Sequence, residues 1–365
     1  MTTDFLRTRF EWLDELAAMS SVAATLDLKS KLSDEIYEAP GQKFSSNKDA
    51  FNLANSEEHN RAVAATIDGL AAMGADEKAL TKLMLDLTSR NTYGTFCELS
   101  AYHFLLKGKH DFSIQSPMTG AEILNPNGAD LDGVLRLPQE VVFDIKAFGF
   151  HEHLVSRLVE RLSQDLAPDV ATADDSWDVP VSALFDLLSS GYKPLLQELK
   201  ASRSARRGAL RFTLRAPARV QVTSRELDPR KLADENAEYA FSYAKQFARN
   251  KPFILIFVVH PWVSGALHLN FSGYLDEFTK AFAETTFCRF QADARAVSDV
   301  TLAEAARLLS GILFVNAWEG KPASEPPLYR LFLNPHAKNK LLPSSIAAFV
   351  TPYGPIMVAT ETHCT

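Results

Sequence analysis

Three charged residues, Asp132, Asp144 and Lys146, sit in short apolar runs where charge is out of place. The stretch from Gly128 to Phe150 reads G-A-D-L-D-G-V-L-R-L-P-Q-E-V-V-F-D-I-K-A-F-G-F. This pattern predicts two strands joined by a Pro-containing turn, over about 130–137 and about 141–148. Side chains alternate along a strand, so Val142, Asp144 and Lys146 share one face. Burying such charges costs on the order of several kcal/mol unless they are paired or hold a metal. Magnesium takes oxygen ligands, commonly one or two carboxylates completed by phosphate and water. Bound there, it lowers the pKa of an attacking water and neutralises charge on a phosphate. The chemistry these residues suit is metal-assisted hydrolysis of a phosphodiester.

An acid-x-Lys triplet alone carries little information. The same chain contains Asp27-Leu28-Lys29 in a helix-like stretch with no companion strand acid. The plain alternative for Asp144 and Lys146 is an exposed cross-pair, worth under about 1 kcal/mol. Three features favour chemistry: the apolar strand contexts, the twelve-residue separation of Asp132 and Asp144, and an upstream acid, Glu98. Glu98 interrupts the mostly apolar run T-Y-G-T-F-C-E-L-S-A-Y-H-F-L-L, expected to be helical over about 92–105. Gly94 and Tyr102 are its i−4 and i+4 neighbours. A lone acid on such a helix also fits a partly exposed position.

The elements that must position these residues are legible as a coarse order. Helical periodicity marks residues 1–30, then segments around Val63–Leu70 and Leu80–Leu87 separated near Gly74. Residues 31–56 read as loop. A strand is expected from Phe112 to Gln115. Beyond Phe150 come a helix over about 151–162, an acidic segment at 165–178 expected to be a mobile loop, and a helix over about 181–199. Asp234 is the expected cap of a helix over 236–249, followed by the fully apolar strand from Phe253. Helices near 274–283 and 301–309, a strand at about 310–318 and a late strand at 356–359 complete the reading.

Helix, three strands, a long excursion, then helix and strand resembles the PD-(D/E)xK, or restriction-endonuclease-like, nuclease superfamily. The resemblance covers residues 92–150 plus 234–260. It implies an α/β (α+β) fold with a central mixed sheet flanked by helices. It divides the chain into an N-terminal helical region (1–90), a nuclease-like core (91–320) with an insertion at about 151–230, and a C-terminal extension (321–365). It places Asp144 and Lys146 at the family's acid-x-Lys, and Glu98 at its helix glutamate. Asp130 and Asp132 both stand near the preceding acid, and Asp132 fits better because an apolar run follows it directly. No proline precedes either. The implied activity is a Mg2+-dependent deoxyribonuclease with Mn2+ as substitute. Asp132, Asp144 and Glu98 would be its metal ligands, and restriction or anti-phage defence its setting by analogy.

DNA is the expected partner. Net charge is −7, but eight Lys or Arg and one acid lie between Lys193 and Arg219. Arg203, Arg206, Arg207, Arg211, Arg215 and Arg219 are the candidate phosphate contacts. Residues 211–223 read as a hairpin with Arg211, Thr213 and Arg215 on one face. A solvated basic face is the plain alternative. The helix at 236–249 is a candidate to bring Lys245 or Gln246 to the site. The Tyr239, Tyr243 and Phe247 spacing reads as core, and His151 and His153 point apart on a helix. No apolar run approaches the roughly 18 residues of a membrane span. Three scattered cysteines fit a reducing cytoplasm rather than a disulfide framework. A homodimer fits cutting of both strands. The readings that compete with an enzyme are an inactive nucleic-acid-binding protein of the same fold and a scaffold or interaction protein.

Overall fold

Apolar residues recurring every three to four positions build the first helices of the computed structural model. It describes residues 9–31, 57–88, 92–148, 150–174, 186–188, 190–208, 210–215, 229–259, 274–316, 329–353 and 358–359. Helix α1 (Arg9–Met19) precedes α2 (Glu57–Ala72) and α3 (Glu77–Leu87). Gly74, at φ +91°, follows α2, and the Asp76 carboxylate caps α3 by accepting from Ala79 N at 2.6 Å. Buried Arg9 donates to Leu85 O and Thr88 Oγ1, and Trp12 Nε1 donates to Asn60 Oδ1 at 2.8 Å. Helix α4 (Thr92–Lys107) is apolar around most of its girth. Such a helix must be covered on all sides; α4 packs against α2, α3 and the central sheet.

Strands β1 (Phe112–Met118), β2 (Ala129–Arg136) and β3 (Glu140–Phe148) form an antiparallel meander. Next come α5 (Phe150–Asp165), β4 (Val170–Asp174), α6 (Tyr192–Ser202), β5 (Ser204–Arg207), β6 (Leu210–Arg215) and α7 (Pro229–Asn236), with a 3-10 helix at Ala237–Gln246. Strand β7 (Phe253–Val259) is buried at every position, as a strand covered on both faces must be. Helix α8 (Tyr274–Cys288), the short pair β8 (Ala296–Val297) and β9 (Val300–Thr301), and α9 (Leu302–Leu308) follow. A capping box between Thr301 and Glu304 opens α9. Strands β10 (Leu309–Asn316) and β11 (Tyr329–Leu333), α10 (Pro343–Val350) and β12 (Val358–Ala359) end the described chain.

The central sheet is mixed, with six strands in the order β1-β2-β3-β7-β10-β11 and the two-residue β12 at its edge. Strand β10 runs parallel to β7 and antiparallel to β11. An α/β fold with a central mixed sheet flanked by helices is therefore present. The chain divides into two compact units. One, residues 1–147, 244–260 and 293–362, carries the central sheet and α1–α4. The other, residues 148–243, 261–292 and 363–365, carries a three-stranded sheet ordered β4-β6-β5, with α5 and α6 packed on it and α7 against α8. Among the described residues no helix is long and apolar enough to cross a membrane.

Several elements depart from the sequence reading. Part of the acidic segment forms β4, because Val170 to Ala173 pair with Arg215 to Phe212 and gain a ladder. The basic hairpin is formed with the strand before β6: β5 pairs with β6 from Arg207↔Leu210 on, and β4 takes the other edge of β6. Gly208, at φ +59°, supplies the turn conformation. Asp234 lies inside α7 rather than capping a later helix, and its carboxylate accepts from Thr285 Oγ1. Cys288 is disulfide-bonded, whereas Cys97 is a buried free thiol. Residues 32–56 of the loop expected at 31–56, and residues 219–223 of the expected hairpin, lie outside the described residues.

Candidate metal and phosphodiester site

The site grows out of a lapse in the sheet. Strands β2 and β3 pair from Arg136↔Glu140 to Gly133↔Phe143, and one further step of that register sets Asp132 across from Asp144. Cβ atoms of opposed residues lie about 5 Å apart, so the two carboxyl groups meet. The β1–β2 ladder also skips Asp132, pairing Ile114↔Gly133 and Ser116↔Leu131 but not Gln115 with Asp132. Side chains take over the ladder's bonds. The Asp132 carboxylate accepts the Ile145 N–H at 2.6 Å, and the Tyr102 hydroxyl is 2.8 Å from the Asp132 carbonyl. Gly133 permits this crowding, because a Cβ there would run into the Ser113 carbonyl and the Phe143 ring.

Asp144 is 1% exposed, and Lys146 Nζ stands 2.6 Å from its Oδ2. The alternation that puts both on one face of β3 was legible in the sequence. Asp130, two residues before Asp132, is exposed, so Asp132 is the aspartate that meets Asp144. Glu98, one turn before Tyr102 on α4, joins through hydrogen bonds. Its Oε1 lies 2.9 Å from the Tyr102 hydroxyl and accepts from Gln115 Nε2 at 2.7 Å. Lys82 Nζ on α3 donates to Gln115 Oε1 at 2.8 Å. Tyr102, Gln115 and Lys82 are the members that sequence reasoning missed. Only Tyr102 left a signal, as the i+4 neighbour of Glu98.

Electrostatics set these acids apart from ordinary surface carboxylates. Burial, then the charge of Asp132, pushes Glu98 up to about 7, against the lowering effect of its bonds to Tyr102 and Gln115. Burial, then Asp144, raises Asp132, while Lys146 and the Ile145 amide pull the other way. Confined like charges are the condition a cation relieves. The donors are all oxygen, which suits Mg2+ or Mn2+. Among the described residues no three His, Cys, Asp or Glu side chains gather as a ready ligand set. The unit able to hold an ion is the Asp132–Asp144 pair, with Glu98 tied in through Tyr102.

The expected basic set divides. Arg203 pairs with Asp169 at 2.8 Å and Arg207 with Glu198 at 2.7 Å. Arg206 and Arg211 stand directly opposite each other on β5 and β6, with Asp174 of β4 on the other side of Arg211. Arg206, Arg211 and Arg215 are exposed. Arg219 lies outside the described residues. Lys245 is exposed, and Gln246 Oε1 is a buried oxygen without a hydrogen-bond partner among the described residues. The Tyr239 and Tyr243 hydroxyls bond each other at 2.6 Å, and Phe247 packs 5.0 Å from Phe253. Lys29 of the decoy triplet pairs with Asp14, an ordinary surface bridge. No family model, curated protein or solved structure matches the chain.

Proposed function

We propose that the protein is a metal-dependent endonuclease that hydrolyses DNA phosphodiester bonds. The observation that supports this most is the meeting of Asp132 and Asp144 where two strand ladders lapse, with Lys146 on Asp144. Asp132 and Asp144 would hold Mg2+, with Glu98 orienting a water beside them. Such an ion, when bound, supplies Lewis-acid stabilisation of the phosphoryl oxygens and a more acidic water. The chain's own residues do the rest. The Ile145 amide fixes the Asp132 carboxylate, and Tyr102 anchors the strand beneath it. The Lys146 ammonium offers a positive charge to a phosphate oxygen or to the attacking water. Hydrolysis adds water across one P–O bond, leaving a phosphate monoester and a hydroxyl end.

DNA as the partner draws support from the exposed arginines. Opposed like charges destabilise a sheet, and a polyanion laid over Arg206 and Arg211 relieves that repulsion. Incubation with plasmid and Mg2+, beside Asp144→Ala and Lys146→Ala, tests the reading. Mg2+-dependent nicking by the wild type alone is expected, and equal cleavage by all three removes the assigned site. The absence of a third converging acid among the described residues favours a second reading, a DNA-binding protein without turnover. Salt-sensitive binding with no cleavage in either Mg2+ or Mn2+ would establish that one.

A further inference from the structure

Gln115 is the one residue inside a described strand, glycine aside, that has a left-handed backbone, at φ +47°. Residues other than Gly, Asn and Asp rarely adopt it, and such outliers persist only where surrounding contacts hold them. This one falls where β1 runs beside Asp132 and the ladder lapses.

The side chain shows what that geometry achieves. An ammonium group can only donate, so the atom facing Lys82 must be the amide oxygen. The bond from Lys82 Nζ to Gln115 Oε1 at 2.8 Å therefore fixes which way the amide points. Its nitrogen is left to donate to Glu98 Oε1 at 2.7 Å. Tyr102 meets the same Oε1. Glu98 Oε2 carries no hydrogen bond among the described residues.

We propose that Gln115, anchored by Lys82, is a positioning residue that occupies Glu98 Oε1 and so presents Oε2 to the cation side of the site. This rests on the reading of the Asp132–Asp144 pair as a cation site. It gives α3 a direct part in the site, because Lys82 belongs to that helix. Partners of this kind, which orient a ligand without touching the ion, typically change metal affinity about 10- to 100-fold when removed.

The test uses Mn2+ alone, titrated calorimetrically into the full chain, with the melting temperature measured in parallel. Gln115→Gly accepts the left-handed backbone without strain while deleting the amide. Gln115→Asn tolerates the same backbone but holds its amide one methylene short. Both are expected to melt at or above the wild-type temperature and to bind Mn2+ about tenfold or more weakly. Lys82→Met is expected to fall between them and the wild type. Wild-type affinity in both folded Gln115 variants overturns the positioning role and leaves the cation site standing. A wild-type chain that binds no Mn2+ overturns the cation reading and this inference with it.

Discussion

The Asp132 carboxylate accepts the main-chain N–H of Ile145 at 2.6 Å, so a side chain on β2 does the work of a ladder bond to β3. A charged acceptor makes the stronger bond, which lets the strands part beside Asp144 without orphaning an amide. Structure and chemistry thus draw on different properties of one carboxylate: its acceptor oxygen and its charge.

Asp132→Asn separates the two. The amide oxygen still accepts from Ile145, but the repulsion with Asp144 and Glu98 disappears. The melting temperature of the metal-free protein is expected to rise, and plasmid cleavage to fall by about 10²-fold or more. A variant that cleaves like the wild type would show that the charge is dispensable.

Stability should depend on pH with a definite sign. Glu98 moves from an ordinary 4.5 to about 7 on folding, and Asp132 also moves upward. Between those values the folded chain binds more protons than the unfolded chain, so stability falls as pH rises. For Glu98 the window is pH 4.5 to 7, and the loss is at most about 3 kcal/mol, less for its partial exposure. Thermal melts across this range, compared with Glu98→Gln, check it: the substitution should flatten the slope. Saturating Mg2+ at pH 8 should restore stability through binding to the folded state alone.

Lys146 is expected to matter more for turnover than for holding the ion. Lys146→Met removes a positive charge from beside two acids, so Mn2+ affinity should change by less than about tenfold while the single-turnover rate falls about 10²-fold. Parallel loss of both quantities would assign Lys146 a purely structural part.

The arginine face makes a separate claim about DNA. Replacing Arg206 and Arg211 with serine should reduce the salt slope of log K by about two, roughly one per phosphate contact. The same change should leave the melting temperature unchanged or slightly raised, because opposed like charges are removed. Unaltered binding would exclude these residues from the interface.

The central strands and the shared face of Asp144 and Lys146 were readable because period-two alternation and apolar context are local signals. The choice between Asp130 and Asp132 was harder, since both face the same way and only the register shows which one meets Asp144. Gln115 and Lys82 were invisible. One depends on a backbone conformation that glutamine seldom adopts, the other on a long side chain of α3 reaching across to β1. The hairpin was misplaced because alternation runs on past Arg215, whereas the partner strand, Ser204–Arg207, is short and rich in arginine.

Tyr102 has a consequence best counted in hydrogens. Its hydroxyl carries one, yet two oxygens stand within bonding distance, Glu98 Oε1 and the Asp132 carbonyl. A single hydrogen cannot serve both. Both contacts are satisfied together when Glu98 carries a proton of its own and donates to the tyrosine oxygen, freeing the phenol to donate to Asp132. One hydroxyl thus stands between a carboxylate and a main-chain carbonyl, and its single hydrogen goes to Glu98 when that acid is charged and to β2 when it is neutral.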